Sequence, residues 1–598
     1  MKRLFSIILS SFLLATLFSS FSLAAFVYGD AHIESGKIYY IRNVGTNWSV
    51  DVAGASQNPN ASIITYNHHG GNNQRWQINV EKIVGNDIIV TFVSKDSNLV
   101  LTTEFNESNH KSYLTQQTYN GTKDQMFTLV RVGDTNQYKI VSMWGHALQS
   151  STSSPGTKET LVSTSLQETD NFYFTFEDTN DKQSHKELLQ YWAPDVYQDF
   201  NASGNQLWPY DYITSFNFDG DWKGNNNWEN ASSGSKVPYI YTSIQETRSH
   251  YFITYNFFHP RDVGGTGDIV DPIDSHENDL EGALFVIKKS GAYGTLEAVY
   301  TIAHTGYETY TGSQIAYNNN KVQLFVSSNG PYGVHGHCVH MYNSSQDNGG
   351  IKYVYDATAD ANGTLTEASW SPSQDNSYHE ESYGLLSLDE LWNRRYEFGS
   401  DSPFNRYGTF SGDGSGVPFM GSNKCNSPWF WSKGLWISDP AFLADQESSF
   451  ASMSHDYIYH KYFEYKITVA KVQAKVNKDP ILNKEADIFV RVMVDGEKYI
   501  DVNDWKMSNV DNYVWHNFNF GQAEAEGSAS YTENFNTIYV ARPHNQAVVF
   551  ELRDRDSDND DSMGTINKTV SPGNYSLFEQ DTHNNEARIS GAVYSRME

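Results

Sequence analysis

Short alternating runs dominate the chain. Lys37-Ile38-Tyr39-Tyr40-Ile41, Tyr251-Phe252-Ile253-Thr254-Tyr255 and Asp487-Ile488-Phe489-Val490-Arg491-Val492 carry apolar side chains at every second position or in brief continuous blocks, the period of a strand rather than of a helix. Stretches at helical spacing are scarce, and brief helices are predicted only near Ser184 to Tyr191 and Leu386 to Arg395. The residue types agree: 14% of positions are aromatic, 39 of them Tyr and 14 Trp, with 43 Gly to turn the chain, and such side chains suit a pleated, half-buried surface. The fold expected is all-β. A chain of 598 residues exceeds one core, and shifts in composition divide it at 35–178, 184–450 and 452–598.

Residues 1–25 differ from the rest. Met1-Lys2-Arg3, an apolar run from Leu4 to Phe18 and the small residues Ser22-Leu23-Ala24-Ala25 predict a cleaved secretory signal peptide and an exported product. Charge is lopsided, with 42 basic against 71 acidic residues; such a surface repels a phosphate backbone, so no nucleic-acid partner is expected, and it attracts cations. The two cysteines, Cys338 and Cys425, are expected to form a disulfide in an oxidising compartment.

Between 35 and 178 a weak repeat is visible. Asn73-Gln74-Arg75-Trp76, Asp124-Gln125-Met126-Phe127 and Asp170-Asn171-Phe172-Tyr173 stand 51 and 46 residues apart, each preceded by a strand pair. With Gln74-Arg75-Trp76 near the end of the first unit, this segment resembles the ricin-B-type lectins, which are β-trefoils. The resemblance implies a sugar site in the first repeat made of Asp51, the aromatic platform Tyr66, and Asn73 with Gln74. A carboxylate accepts paired hydroxyl hydrogen bonds while an aromatic face covers the apolar side of a pyranose. Val100 in the second repeat, and Gln149 or its neighbour in the third, stand where Asp is expected, and the family's usual disulfides are absent.

From 184 to 450 the chemistry changes. His276-Glu277-Asn278-Asp279-Leu280-Glu281-Gly282 packs three possible ligands into six residues ahead of a strand. Asp279 and Glu281 share a strand face, and His276 joins them only if the chain turns near Asn278. One imidazole and two carboxylates suit Mg²⁺, Mn²⁺ or Ca²⁺. Upstream, Phe257-Phe258-His259-Pro260-Arg261-Asp262 ends a β segment, and pairing of the two strands would bring Asp262 to His276. These segments resemble the necrosis-inducing-protein-like cytolysins and the related vacuolar-sorting-associated proteins. The resemblance implies a β-sandwich in which Asp262, His276, Asp279 and Glu281 hold a divalent cation, Ca²⁺ or Mg²⁺, that supports attachment to glycosylated membrane lipids. Leu280 replaces the family's Trp, and the loop from Asp262 to His276 is longer than the cytolysin loop. Gly333-Val334-His335-Gly336-His337-Cys338 looks like the Gly-His-Gly motif of the vacuolar-sorting relatives.

A second arrangement is open. His335 and His337, with His340 nearby, share a strand-like stretch and, with His259 or Glu281, suit a zinc ion with an open water position, the requirement of a metal-dependent hydrolase. No Gly-X-Ser-X-Gly elbow occurs between strand and helix, which disfavours a serine hydrolase, and no catalytic residue is assigned.

After 452 long alternating strands return. Asp554, Asp556, Asp558 and Asp560 follow the strand Val548 to Leu552, and closely spaced carboxylates repel unless cations sit between them. This arrangement looks like a calcium-dependent lipid-binding β-sandwich, with Asp487 as a further ligand. The sequence as a whole predicts a secreted protein that binds glycans or glycolipids and attaches peripherally to membrane surfaces, toxin-like in outcome. The alternative is a secreted metal-dependent hydrolase targeted by its lectin domain.

Overall fold

A computed structural model describes residues 29–30, 33–84, 87–106, 111–133, 135–150, 154–156, 160–163, 169–199, 212–262, 265–266, 269–270, 276–303, 306–327, 337–344, 349–369, 377–412, 425–448, 450, 453–462, 464–475, 485–494, 496–500, 506–511, 516–517, 537–540, 547–554, 561–570 and 575–595. The expected signal peptide at 1–25, His335, and Asp556, Asp558 and Asp560 lie outside these residues. The architecture is all-β, with a few short helices, none of them among the described residues long and apolar enough to cross a membrane.

The N-terminal module is a 12-stranded sheet closed on itself. Its last strand, Phe174–Asp178, pairs antiparallel with its first long one, Ile38–Asn43, joining the two ends of the module in one sheet. Three 3₁₀ turns mark the three repeats, at Asn72–Gln74, Lys123–Gln125 and Asp170–Phe172. The residues two places after them, Trp76, Phe127 and Phe174, are fully buried in one core. The third repeat therefore runs one residue later than its sequence suggested. Phe174 takes the Trp76 place, and Phe172 takes that of Gln74.

A helix, α1 (His185–Trp192), leads into the central module. Ser184 and Glu187 cap it reciprocally, and His185, Leu188, Leu189 and Trp192 form its buried stripe. The second predicted helix is shorter than its pattern implied. Leu386 pairs with Tyr241 inside the sheet, and only α2 (Asp389–Trp392) is helical. Tertiary pairing overrides local propensity there.

The central sheet also has 12 strands. Four form an antiparallel meander, β1 (Tyr239–Thr247), β2 (His250–Asp262), β3 (His276–Lys288) and β4 (Thr295–Ala303). A parallel pairing of β1 with Tyr378–Ser387 joins this meander to the remaining strands, and side chains from both halves enclose one core. β2 is buried along its whole length, hence its nearly continuous apolar and aromatic sequence.

The first two modules interlock through polar contacts. Glu246, wholly buried, receives Lys182 Nζ at 2.5 Å, Lys289 Nζ at 2.6 Å and Gln77 Nε2 at 2.8 Å, with His185 Nε2 3.0 Å away. Asn79 donates to the Ile458 carbonyl at 2.8 Å, and Tyr459 donates to that of Val80 at 3.0 Å. The C-terminal module consists of two five-stranded sheets whose inner faces, including Ile467 and Val593 on one and Val490 and Phe550 on the other, share a core.

Candidate functional site

The first trefoil repeat assembles the expected sugar residues around one buried carboxylate. Asp51 lies on the strand Ser49–Val52 and is 2% exposed. Its Oδ1 accepts from Asn73 Nδ2 at 3.0 Å, its Oδ2 from Gln74 Nε2 at 2.8 Å, and His69 Nε2 lies 3.3 Å from Oδ2. Burial raises the Asp51 pKa, and the Gln74 amide and His69 oppose that rise. Gln74 is fixed in turn, since its Oε1 accepts from the His69 and Gly70 amides. Tyr66 stands 40% exposed beside this cluster, its ring edge-on to His69 at 6.2 Å. No sequence signal pointed to His69, which precedes a glycine pair rather than following the repeat pattern.

The other two repeats lack the carboxylate. In the second, Gln125 Nε2 reaches Thr102 Oγ1 at 3.3 Å and the Thr118 carbonyl at 2.8 Å, as Gln74 reaches Asp51 and the Asn67 carbonyl. Thr102, not Val100, therefore occupies the Asp51 place. In the third the anchoring amide itself is replaced by Phe172.

The central candidate site is built where β2 meets β3. Their register sets Asp262 opposite His276, His259 opposite Asp279 and Phe257 opposite Glu281. Strict alternation would put His276 and Asp279 on opposite faces. Asn278 breaks it by adopting φ 56°, a left-handed conformation that Asn tolerates better than most residues. The buried Asn278 side chain is tied down on three sides, by Asn227 Nδ2 at 2.5 Å and by its own Nδ2 to the carbonyls of Gly224 and Ser411 at 2.5 and 2.8 Å.

Ligand atoms of Asp262, Asp279 and His337 all lie within 4.8 Å of one another, and the three residues are buried. His337 Nδ1 is 2.6 Å from Asp279 Oδ2. The His259 ring stacks on His337, and His276 Nε2 sits 3.3 Å from Asp262 Oδ2. Asp262 and Asp279 thus come together as expected, His276 contacts the cluster through Asp262, and His337 enters it from a segment distant in sequence. Glu281 is buried nearby, outside the three-residue group. His340 points elsewhere, its Nδ1 3.1 Å from Glu308.

Three imidazoles surround Asp279, and they hold its carboxyl far below the usual range despite burial. Asp262 pushes His276 up to about 9 against the opposing effect of burial. Buried carboxylates demand a compensating positive charge, which protonated imidazole or a metal ion can supply. Two carboxylates and an imidazole with converging donor atoms match the ligand chemistry of a divalent cation.

The expected disulfide is absent. Cys338 and Cys425 are both buried thiols outside any disulfide. The Leu280 amide points at Cys425 Sγ from 3.0 Å, and burial beside Asp279 and Glu281 pushes both thiols up and keeps them protonated. An oxidising compartment does not by itself pair two thiols, and here both are buried beside the acidic residues of this site.

At the third site, β5 (Glu485–Val494) pairs with β6 (Ala547–Asp554), Ile488 opposite Asp554. Asp487 and Asp554 therefore lie on neighbouring strands at one end of the sheet, and Asp554 is buried.

Residues 25–112 match the family described as ricin-type beta-trefoil lectin domain-like. The N-terminal module is a ricin-type β-trefoil lectin domain. Solved structures similar to it include the designed three-fold symmetric protein ThreeFoil (26% identity, 24% of this chain and 98% of that one, TM-score 0.21) and the Rhizoctonia solani agglutinin (20%, 24% and 95%, TM-score 0.20). Another is the earthworm R-type lectin C-half in complex with GalNAc (16%, 24% and 98%, TM-score 0.18). No curated protein matches the chain. The lectin domain carries the Asp51 cluster in its first repeat alone among the three.

Proposed function

We propose that this is a secreted, multivalent surface-binding protein that recognises a glycan through Asp51, Tyr66, Asn73 and Gln74. The observation that carries this reading is the Asp51 carboxylate, held by two side-chain amides beside an exposed tyrosine face inside a lectin-type domain. In the central module Asp262, Asp279 and His337 hold a divalent cation, with His276, His259 and Glu281 around them. The acidic stretch at Asp487, Asp554, Asp556, Asp558 and Asp560 takes calcium and attaches the C-terminal module to a membrane surface. With a net charge of -29, contact with anionic lipid needs a bridging cation. Engagement of glycosylated membranes is therefore cation-dependent, with membrane damage as its toxin-like outcome.

The test is binding to, and leakage from, vesicles bearing mixed glycolipids, with calcium or magnesium and then with chelator. Asp51→Asn should abolish glycan-dependent binding, and Asp279→Ala should remove the cation dependence. Attachment indifferent to chelator and to both substitutions would end this reading.

One observation favours a second reading, a metal-dependent hydrolase guided by its lectin domain. His337 joins two carboxylates, and a three-ligand set with an open position can activate water. Product formation from a polymeric glycan, lost in Glu281→Gln while binding through Asp51 persists, would select it.

A further inference from the structure

Strand β2 carries the candidate metal centre at its Asp262 end, and a different set of polar side chains stands at its other end. The chain turns from β1 into β2 through Arg248 and Ser249. Ser249 Oγ lies 2.7 Å from His250 Nδ1, and His250 Nε2 lies 3.0 Å from Glu297 Oε2 on β4. A hydroxyl, an imidazole and a carboxylate are therefore joined in series, the arrangement that activates a serine. Strand β3 runs between His250 and Glu297. Ile287 pairs with Leu296 and Val286 with Ala298, which makes Glu297 the extra residue of a β-bulge, a device that re-aims a side chain.

The surroundings set the protonation states. His250 is wholly buried, and burial lowers its pKa against the opposing Glu297, with Lys288 and Lys289 adding to the fall. A neutral imidazole whose Nε2–H donates to Glu297 presents Nδ1 as an acceptor to the Ser249 hydroxyl. Lys288 Nζ, 3.6 Å from Glu297 Oε1, balances the carboxylate charge. Ser249 Oγ also accepts from the Ser454 amide at 2.7 Å, which stabilises the negative charge that grows on this oxygen as its proton leaves. A hydroxyl has two lone pairs; one meets that amide, and the other is left for attack on a residue that is half-buried rather than sealed in the core. The serine sits on a hairpin turn and not on a strand-to-helix elbow, so no Gly-X-Ser-X-Gly pattern marks it.

We propose that Ser249 is a nucleophile that takes an acyl group from an ester, with His250 as its base and Glu297 positioning the imidazole. Ser249 Oγ bonds to the ester carbonyl carbon while its proton passes to His250 Nδ1. The bond from that carbon to the alcohol oxygen breaks, and the proton leaves with the alcohol. Water then releases the acid from acyl-Ser249 by the same route. This chemistry is independent of glycan binding through Asp51 and of the cation at Asp279.

Treatment of the full chain with a short-chain alkyl fluorophosphonate, followed by peptide mass mapping, tests it. A bond forms between Ser249 Oγ and phosphorus and fluoride leaves, so one phosphonyl group should map to Ser249, and the labelled protein should lose its hydrolysis of p-nitrophenyl acetate. Ser249→Ala should take no label. His250→Gln should slow labelling about a hundredfold. Glu297→Gln should slow it too, with Glu297→Asp recovering much of the loss. The labelling rate should rise with pH through a midpoint below the ordinary histidine value of about 6.5. No label, a label on another serine, or equal rates in the natural protein and His250→Gln would overturn the proposal. Mapping on the natural chain decides by itself whether Ser249 reacts, whether or not a variant folds.

Discussion

His337 lies face to face with His259, their ring centroids 3.7 Å apart and their planes 2° from parallel, while its Nδ1 reaches to within 2.6 Å of Asp279 Oδ2. Stacking and the carboxylate together fix the imidazole, so its role as a ligand separates from its role in packing. His337→Phe keeps an aromatic ring on His259 and removes both nitrogens. A divalent ion at one hundred times its dissociation constant should stabilise the natural protein by about 2.7 kcal/mol and the variant by far less. Thermal unfolding with and without Mn²⁺, Zn²⁺ or Ca²⁺ reads this. Equal shifts in the two proteins would remove His337 from the site.

Acid should loosen the joint between the lectin domain and the central module through His185. Burial pushes the His185 pKa down to about 4, against an ordinary value near 6.5. Between these values the unfolded chain binds a proton that the folded chain does not, so stability falls as pH is lowered through the window. The full loss is about 3 kcal/mol. Glu246, held well below its ordinary value by Lys182, Lys289 and His185, adds its own loss only at lower pH. Urea denaturation at a series of pH values should show a shallower slope in His185→Gln; an identical slope would assign the acid sensitivity elsewhere.

Asn278 should resist substitution by anything with a Cβ and no amide. Its φ of 56° and its contacts to Gly224, Ser411 and Asn227 act together. Asn278→Ala should cost about 2–4 kcal/mol, combining left-handed strain with lost buried hydrogen bonds. Asn278→Gly relieves the strain alone and should fall between Ala and the natural residue. A change under 0.5 kcal/mol for Ala would show that the β3 entrance tolerates rearrangement.

Both thiols should react without prior reduction. Alkylation in denaturant, followed by mass measurement, should add two labels to the chain, while the native protein should take up little because Cys338 and Cys425 are buried and protonated. Labelling only after reductant would establish a disulfide.

Part of the central site was legible because strand pairing is local information. The apolar runs of β2 and β3, ended by Asp262 and begun by His276, are antiparallel neighbours, and their register alone brings Asp262 to His276 and His259 to Asp279. His337 was visible only as one of several glycine-flanked histidines, because 58 residues separate it from Asp279 and no periodicity encodes which loop returns to that strand end. Glu281 looked equivalent to Asp279 by alternation, yet the group of converging ligand atoms leaves it out.

The lectin domain shows the same division. Hydrophobic period and repeat spacing determined an all-β chain with a repeated N-terminal segment whose first unit carries Asp51, Asn73 and Gln74, because those signals live in neighbouring residues. Only the tertiary structure decided that Thr102 rather than Val100 stands in for Asp51 in the second repeat, that the third repeat is offset by one residue, and that Cys338 and Cys425 remain thiols. These outcomes depend on which distant strands pack together, and packing is set by the shape and burial of the whole core rather than by any one segment.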